Sequence, residues 1–324
     1  MAKRSKTVKK EEPRAGNGPR STAMQSVIER LKPHAGELII YGLLILLLIT
    51  GTFFRNRVWN SKLDLCTDCV KKSPNKDRPH NNLGNVFLNQ GNYQEAIFHF
   101  NEALRINPNF AEAHNNLGNV FLNQGKYQEA NSHINEALRI DPNLAEAHNN
   151  LGNLFSKQGN YQDAIPHFNV ALRIDPNLAE AHNNLGNVFS IQGNYQEAIL
   201  HLNEAIQIDP DLAEAHNNLG NVFSKQGDYQ KAINHYNEAL RINPNFSQAH
   251  NNLGNVFSIQ GNYQGAIYQY NEVVRIDPNL AGVHYNLGNV YLRIGNRGLA
   301  LKEYEILKTM NPDLANALYQ KIGD

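Results

Sequence analysis

The sequence lacks most of what enzymes and nucleic-acid-binding proteins require. Its 324 residues carry 30 basic and 30 acidic side chains, so no overall field favours nucleic acid or an acidic ligand. No Gly-x-Ser-x-Gly motif, P-loop or dinucleotide-binding glycine fingerprint is present. We therefore expect no catalytic residues, no cofactor and no nucleic-acid partner.

Cysteine is also scarce, because only Cys66 and Cys69 occur. A Cys-x-x-Cys spacing is found in redox motifs and in half of a zinc site. Tetrahedral zinc requires two further ligands at matching spacing, and none lies nearby in the sequence. Free cysteines behave as small apolar residues, so we expect both thiols to be buried packing residues and no metal site.

The dominant feature that is present is a 34-residue repeat. The block His-Asn-Asn-Leu-Gly-Asn occurs six times at this spacing, and a seventh copy reads His-Tyr-Asn-Leu-Gly-Asn. A strict period of this length is typical of a solenoid, in which each unit packs on its neighbours. Positions 1 to 34 are counted from the first residue of each unit. The units are residues 77–110, 111–144, 145–178, 179–212, 213–246, 247–280 and 281–314.

Each unit has the pattern of a helix, a turn and a second helix. In residues 111–144, Leu117 and Phe121 lie four residues apart and start one apolar helical stripe. Gly125 then allows the left-handed conformation that ends many helices. Pro142 follows the second helix at a point where a helix cannot continue.

These units resemble the tetratricopeptide repeat, abbreviated TPR. The sampled unit has Leu at position 7, Gly at 8, Phe at 11, Tyr at 17, Ala at 20 and 27, and Pro at 32, which are signature positions of that family. His replaces the usual Trp at position 4, and Arg297 replaces Tyr at position 17 of the last repeat. Pro166 removes a backbone donor from a second helix, where we expect locally looser packing. The resemblance implies an all-α, right-handed α-solenoid of seven repeats.

A solenoid needs terminal helices to cover its exposed apolar ends. Residues 71–75 align with the end of a repeat, which predicts a linker and an N-terminal capping helix over residues 55–76. Residues 315–324 follow the last repeat and predict a C-terminal capping helix. Residues 1–22 are basic and almost free of large apolar groups, which predicts a disordered tail before a juxtamembrane segment at residues 23–37.

Residues 38–54 contain no charge and predict a transmembrane helix. A cleaved signal peptide is the alternative, but the 37 residues before the segment are too long for its basic region. We therefore expect a single-pass membrane protein. The basic tail favours a cytoplasmic N-terminus, which would place the array on the non-cytoplasmic side, although the basic residues nearest the segment favour the reverse.

The first helices carry a ladder of asparagines. In the TPR family these helices line a concave groove, and the array is similar to the TPR domain of O-GlcNAc transferases, which holds substrates with such a ladder. An asparagine amide offers donors and an acceptor that match a peptide bond. We expect position 5 to be the most informative, while positions 6 and 9 could instead bond to the adjoining helix. The predicted peptide-binding residues are Asn81, Asn82, Asn85, Asn115, Asn116, Asn119, Asn149, Asn150, Asn153, Asn183, Asn184, Asn187, Asn217, Asn218, Asn221, Asn251, Asn252, Asn255, Asn286 and Asn289.

This ladder predicts that Asn150, Asn184 and Asn218 can be replaced by Ala with weaker binding and little change in melting temperature. The carboxylate clamp of other TPR proteins needs Lys at position 5, which is neutral here.

Seven histidines stand at position 4 and five at position 23. Equivalent histidines of successive repeats are too far apart to share a metal, so we expect them to serve in packing and hydrogen bonding between helices.

The sequence thus predicts a membrane-anchored, non-catalytic TPR scaffold that binds protein or peptide partners in an asparagine-lined groove. The alternative is an accessory or substrate-recognition part of a membrane glycosyltransferase system. It depends on a short resemblance of residues 38–80 to the tail of multi-spanning O-mannosyltransferase-like TPR proteins. A third hypothesis is self-association of the arrays.

Overall fold

The computed structural model describes residues 61–323, which form sixteen α-helices and, within that range, no strand. One compact unit ends at Lys72 and contains α1 (Lys62–Lys72), and a second begins at Ser73 and contains the remaining helices. The first helices of the repeats are α2 (Asp77–Asn89), α4 (Ala111–Asn123), α6 (Ala145–Lys157), α8 (Ala179–Ile191), α10 (Ala213–Lys225), α12 (Ser247–Ile259) and α14 (Ala281–Arg293). The second helices are α3 (Tyr93–Ile106), α5 (Tyr127–Ile140), α7 (Tyr161–Ile174), α9 (Tyr195–Ile208), α11 (Tyr229–Ile242), α13 (Tyr263–Ile276) and α15 (Arg297–Met310), and α16 (Pro312–Gly323) follows.

Turn residues set the ends of the helices as the sequence predicts. Gly125 has a φ of 72°, in the left-handed region that a side chain disfavours, and it separates α4 from α5. After α5, the Oδ1 of Asp141 accepts a hydrogen bond from the backbone N–H of Asn143 at 2.9 Å, beside Pro142. The positive-φ glycine recurs in all seven repeats and the second turn in the first six, so the chain builds an all-α solenoid of helix pairs.

The core is continuous from one repeat to the next. Ala130 and Ile134 of α5 are fully buried in one cluster with Leu151 and Leu154 of α6. One repeat further, Phe168 packs in the same way with residues of α8. Each second helix therefore contributes its apolar face both to its own repeat and to the next one, as expected for stacked units.

The two helices of a repeat meet at the glycine of position 8. A Cβ atom built on Gly118 would lie 2.6 Å from Cγ1 of Ile134, which is closer than real Cβ contacts. The corresponding distance is 2.6 Å between Gly84 and Phe100. In the first six repeats the residue at position 24 thus packs directly on the glycine, and a side chain at position 8 would force the helices apart.

Two local features of the array follow from particular residues. Pro166 lies inside α7, and the helix continues through it because the residue is exposed and water can reach the backbone group left without a donor. At the far end, α16 begins earlier than residue 315. Its Leu318 and Ile322 are buried with Leu307 of α15, so this helix covers the apolar face of the last repeat.

The structure corrects the predicted localisation. Helices of the array are 12 to 14 residues long, and between residues 61 and 323 no helix is long and apolar enough to cross a membrane. The prediction of a single-pass membrane protein with its array on the non-cytoplasmic side is therefore wrong for the described part of the chain. The predicted tail, juxtamembrane segment and transmembrane segment, residues 1–54, and the start of the predicted N-terminal cap lie outside the described residues.

The expectation for the cysteines is half correct. Cys66 of α1 is buried, and burial, followed by the neighbouring Cys69, raises the pKa of its thiol. Cys69 is exposed and was wrongly predicted to be a buried packing residue. Residues three apart on a helix are neighbours on its surface, but Cys66 is the single buried residue of α1.

Replacing Gly118 by Ala tests the contact between the two helices of a repeat. Overpacking against Ile134 costs about 1–3 kcal/mol, whereas the helix propensity of Ala returns only about 1 kcal/mol. We therefore expect a lower midpoint of urea unfolding. Gly282→Ala is the matched control, since a Cβ at Gly282 meets nothing within 4 Å, and we expect it to raise the midpoint. Equal effects of the two changes would contradict the close approach.

Candidate functional site

The candidate site is the face of the first helices that carries positions 5, 6, 9, 12 and 13, called here the groove face. The asparagines at position 5 of the first five repeats are buried on it, with only 4–8% of their surface exposed. Asn251 in the sixth repeat is half-buried. Burial of an amide requires hydrogen-bond partners within the protein, so these side chains are not simply presented to a ligand.

Position 6 supplies those partners. In each case Nδ2 of the position-6 asparagine donates to Oδ1 of the position-5 asparagine one repeat earlier, across distances of 2.9–3.3 Å. The six pairs are Asn116 with Asn81, Asn150 with Asn115, Asn184 with Asn149, Asn218 with Asn183, Asn252 with Asn217, and Asn286 with Asn251. Positions 5 and 6 thus connect every first helix to the next. Ligand binding by the asparagines at positions 5 and 6 stays a prediction, but their hydrogen bonds indicate a structural role.

Position 9 differs between the two halves of the array. Asn85, Asn119, Asn153 and Asn187 are half-buried, and within residues 61–323 no hydrogen bond engages their side chains. These four amides are free to bind a ligand. They therefore fit the predicted ladder better than position 5, which the sequence pattern favoured.

In repeats 5 and 6 a tyrosine engages the position-9 amide. The hydroxyl of Tyr236 donates to Oδ1 of Asn221 at 2.8 Å, and the hydroxyl of Tyr270 donates to Oδ1 of Asn255 at 2.7 Å. Neither tyrosine was predicted from the sequence to be a groove residue. The available signal was a hydroxyl at position 24, where the first four repeats carry only Phe, Ile or Leu.

At the C-terminal end, α16 completes the groove face. Nζ of Lys321 donates to Oδ1 of Asn289 at 2.7 Å and to the hydroxyl of Tyr285 at 2.9 Å. Nδ2 of Asn289 donates to the backbone oxygen of Tyr285 at 2.7 Å. The hydrogen bond from Lys321 lowers the pKa of the Tyr285 hydroxyl. Asn289 was predicted to bind peptide, but its acceptor and one of its donors are already engaged.

Three cavities open along the groove face of repeats 5 to 7. One of about 230 Å³ lies between Asn221 and Leu280. A second, of about 130 Å³, is lined by Ser224 and Lys225 together with position-9 amides, and a third, of about 370 Å³, by Ile259. The position-9 amides, the ammonium group of Lys225 and the side chain of Ile259 therefore lie on one surface, along which an extended peptide segment could bind.

The histidines pair within repeats. Nδ1 of the position-4 histidine lies 3.0–3.3 Å from Nδ1 of the position-23 histidine in four repeats. In the third repeat, where Pro166 precedes His167, the ring centroids are 6.0 Å apart and Nδ1 of His148 is buried without a partner. This wider pair coincides with the local loosening expected at Pro166. The expected role of the histidines in interhelix packing and hydrogen bonding is confirmed.

The surroundings of each pair determine where its protons lie. Nε2 of His114 contacts the carbonyl oxygen of Pro108 at 3.2 Å, and a carbonyl can only accept, so Nε2 carries the proton. Nδ1 of neutral His114 then accepts from the Nδ1–H of His133 at 3.1 Å. Across the part of the chain that the structure describes, no group of three or more His, Cys, Asp or Glu is placed to hold a metal.

Burial and a neighbouring histidine both disfavour the protonated form of the position-23 histidines. Burial lowers the pKa of each position-23 histidine, and the position-4 histidine beside it lowers that pKa further. The residues affected are His99, His133, His167, His201 and His235. Because the pKa of these histidines is lower in the folded protein than in the unfolded chain, the unfolded chain binds protons more readily. Acid therefore favours unfolding.

The stacked two-helix units, their continuous core and their amide-lined face define a helical-repeat scaffold suited to protein–protein interaction. Family models described as "TPR repeat" match residues 84–125, 186–227 and 254–295. Models described as "Tetratricopeptide repeat" match residues 109–177, 167–200, 213–246 and 235–268. Together these matches run from residue 84 to residue 295. The chain belongs to the tetratricopeptide-repeat family.

Solved structures show the same fold at low sequence identity. The crystal structure of the APC/C hetero-tetramer Cut9–Hcn1 matches at 22% identity and a TM-score of 0.72, covering 81% of this chain and 52% of that one, so this protein spans about half its length. PilW, a type IV pilus biogenesis factor, matches at 22% identity and a TM-score of 0.59, covering 64% of this chain and 98% of PilW. PilF from Pseudomonas aeruginosa matches at 25% identity and a TM-score of 0.57, covering 65% and 96%. No curated protein matches the chain. These findings do not support the resemblance to O-GlcNAc transferases or to O-mannosyltransferase-like proteins.

The inter-repeat amide bonds change the expected effect of substitutions at position 6. Asn150→Ala and Asn184→Ala each leave a buried Oδ1 without its donor, which costs about 1–3 kcal/mol. We now expect a lower melting temperature for both variants, contrary to the expectation from sequence. Asn82→Ala, at an exposed position 6, is the control and should change stability by at most about 0.5 kcal/mol. Equal melting temperatures for all three variants would show that the amide pairs do not stabilise the array.

The histidine pairs predict acid-sensitive stability. Stability should be complete above the ordinary histidine pKa of about 6.5 and should fall as the pH drops below it, because only the unfolded chain is readily protonated. The measurement is the midpoint of urea unfolding between about pH 7.5 and pH 5. His133→Gln combined with His201→Gln should flatten the curve, and Gln269 shows that position 23 accepts glutamine. An unchanged slope in that variant would assign the acid sensitivity to other groups.

Proposed function

We propose that this TPR array is a non-catalytic scaffold that holds an extended segment of a partner protein along its groove face. The observation that carries the proposal is the row of free position-9 amides in the first four repeats, Asn85, Asn119, Asn153 and Asn187. Each offers two donors and an acceptor, the complement of a peptide group. A row of such amides holds main chain and is tolerant of the partner's side chains.

The spacing of the repeats suits an extended chain. Neighbouring packed helices lie about 8–10 Å apart, and an extended chain advances about 3.3 Å per residue. Successive position-9 amides would then meet a bound segment about once every three residues. Positions 5 and 6 support this function indirectly, since their mutual hydrogen bonds keep the first helices in register.

The other hypotheses receive less support. No observation favours the glycosyltransferase-accessory alternative. Self-association would need a contiguous apolar surface, yet the exposed residues Phe98, Leu200 and Tyr268 stand at position 22 of separate repeats, with Ser132 and Asn234 at the same position between them. Single exposed apolar residues of this kind are ordinary on protein surfaces.

The proposal is tested by selecting peptides from a random library on the full chain and measuring their dissociation constants by fluorescence anisotropy. The triple variant Asn119→Ala, Asn153→Ala, Asn187→Ala should bind the selected peptides at least about tenfold more weakly, because three hydrogen bonds are lost. Its melting temperature should stay close to that of the wild type, since these amides bond to no other described residue.

A matched control removes three amides from the same repeats on the exposed side of the second helices: Gln128→Ala, Gln162→Ala, Gln196→Ala. This variant should bind as the wild type does. Equal affinities for the asparagine triple variant and the wild type, or failure to select any peptide, would refute the proposed function.

A further inference from the structure

The two tyrosines at position 24 distinguish repeats 5 and 6 from the repeats before them. Tyr236 and Tyr270 are buried, with 1% and 2% of their surface exposed, and their rings pack on the position-8 glycine as Phe168 does in repeat 3. Phenylalanine therefore satisfies the packing requirement, and packing alone does not account for the hydroxyl groups. Each hydroxyl instead reaches the position-9 amide of its own repeat.

A second donor meets each of these amide oxygens from the following repeat. Nδ2 of Asn252 donates to Oδ1 of Asn221 at 2.9 Å, and Nδ2 of Asn286 donates to Oδ1 of Asn255 at 3.3 Å. Together with the tyrosine hydroxyl, these bonds use both lone pairs of each oxygen. The amide plane is thereby oriented, and the N–H donors are the part of the side chain left for a ligand.

This orientation is insensitive to pH. Burial raises the pKa of the Tyr236 and Tyr270 hydroxyls, so both remain protonated donors throughout the ordinary range. In the first four repeats the position-9 amides lack such a donor and can turn either end toward a ligand. Repeats 5 and 6 therefore differ from the earlier repeats in chemistry, because they present donors only.

The surroundings of the two amides indicate the chemistry of the occupant. Asn221 and Asn255 line the same cavity of about 130 Å³, together with Ser224 and Lys225. Nζ of Lys225 donates to the backbone oxygen of Ser190 at 3.2 Å and to the Ser190 hydroxyl at 3.3 Å, which leaves one of its three N–H donors for a ligand. Neither this cavity nor the adjoining one of about 370 Å³ is lined by an acidic residue. Donors and a cation without a nearby acid complement carbonyl and carboxylate oxygens.

We propose that the tyrosine-held amides of Asn221 and Asn255 form a donor subsite for the backbone carbonyl oxygens of an extended peptide, which places an acidic side chain at Lys225. This inference rests on the function proposed above and specifies it. Tyr236 and Tyr270 are positioning residues that act through the two amides. Lys225 is the one cation that lines the cavity of about 130 Å³, which suits one carboxylate.

The probes are three fluorescein-labelled nonapeptides of Ser, Thr and Val whose middle residue is Glu, Gln or Lys. Binding to the full chain is measured by fluorescence anisotropy. The Glu peptide should bind most tightly and the Lys peptide most weakly, with about a tenfold difference between them, because the cation attracts one and repels the other. Lys225→Gln should remove the preference for Glu over Gln.

The tyrosine hydroxyls are tested by Tyr236→Phe combined with Tyr270→Phe. This variant should bind the Glu and Gln peptides about fivefold more weakly, since the amides can then turn their oxygens toward the ligand. The reverse change, Phe168→Tyr, supplies a hydroxyl beside Asn153 and should strengthen binding of both peptides. If the hydroxyls were purely structural, the double phenylalanine variant would have a changed melting temperature, and Phe168→Tyr would not change the affinity.

The possible outcomes separate the two proposals. Wild-type affinity in the double phenylalanine variant, equal affinity for the Glu and Lys peptides, or no binding of any nonapeptide would overturn the donor subsite. The proposed function would still stand if the variant lacking the amides of Asn119, Asn153 and Asn187 lost its selected peptides. If that variant also kept wild-type affinity, both proposals would fall.

Discussion

The contact on which the rest of the array depends is the one between the glycine of position 8 and the side chain of position 24. It sets how closely the two helices of a repeat approach, since a Cβ at Gly118 would collide with Ile134. The reach of a position-24 side chain toward the groove face follows from that distance. A tyrosine at position 24 reaches the amide of position 9 because its ring packs closely on the glycine, where a Cβ at Gly220 would lie 2.6 Å from Cε1 of Tyr236.

The asparagines that looked equivalent in sequence fall into two groups in the structure. Those at positions 5 and 6 bond to one another between repeats, and a buried amide without its partner would cost more than the bond itself contributes. Those at position 9 are free in four repeats and held by tyrosine in two. A repeated residue type can thus support the fold at one position and remain available to a partner at another.

Much of the fold could be predicted from local pattern, whereas the details of the site could not. Helix ends follow from Gly125 and Pro142, whose backbone preferences act within a few residues. The bond between Asn150 and Asn115 joins residues 35 apart and depends on how two repeats stack, which no single repeat encodes. The exposure of Cys69 depends likewise on which side of α1 is covered. The predicted membrane localisation failed for the described residues because their helices are short and amphipathic.

The amide bonds between repeats all point the same way, from position 6 of one unit to position 5 of the unit before it. Every internal junction therefore offers the same acceptor on one side and the same donor on the other. If the gene gained or lost 34 codons in register, the two repeats brought together would already carry a matching donor and acceptor. Recombination between the near-identical units could in this way lengthen or shorten the groove without creating an unsatisfied amide at the new boundary.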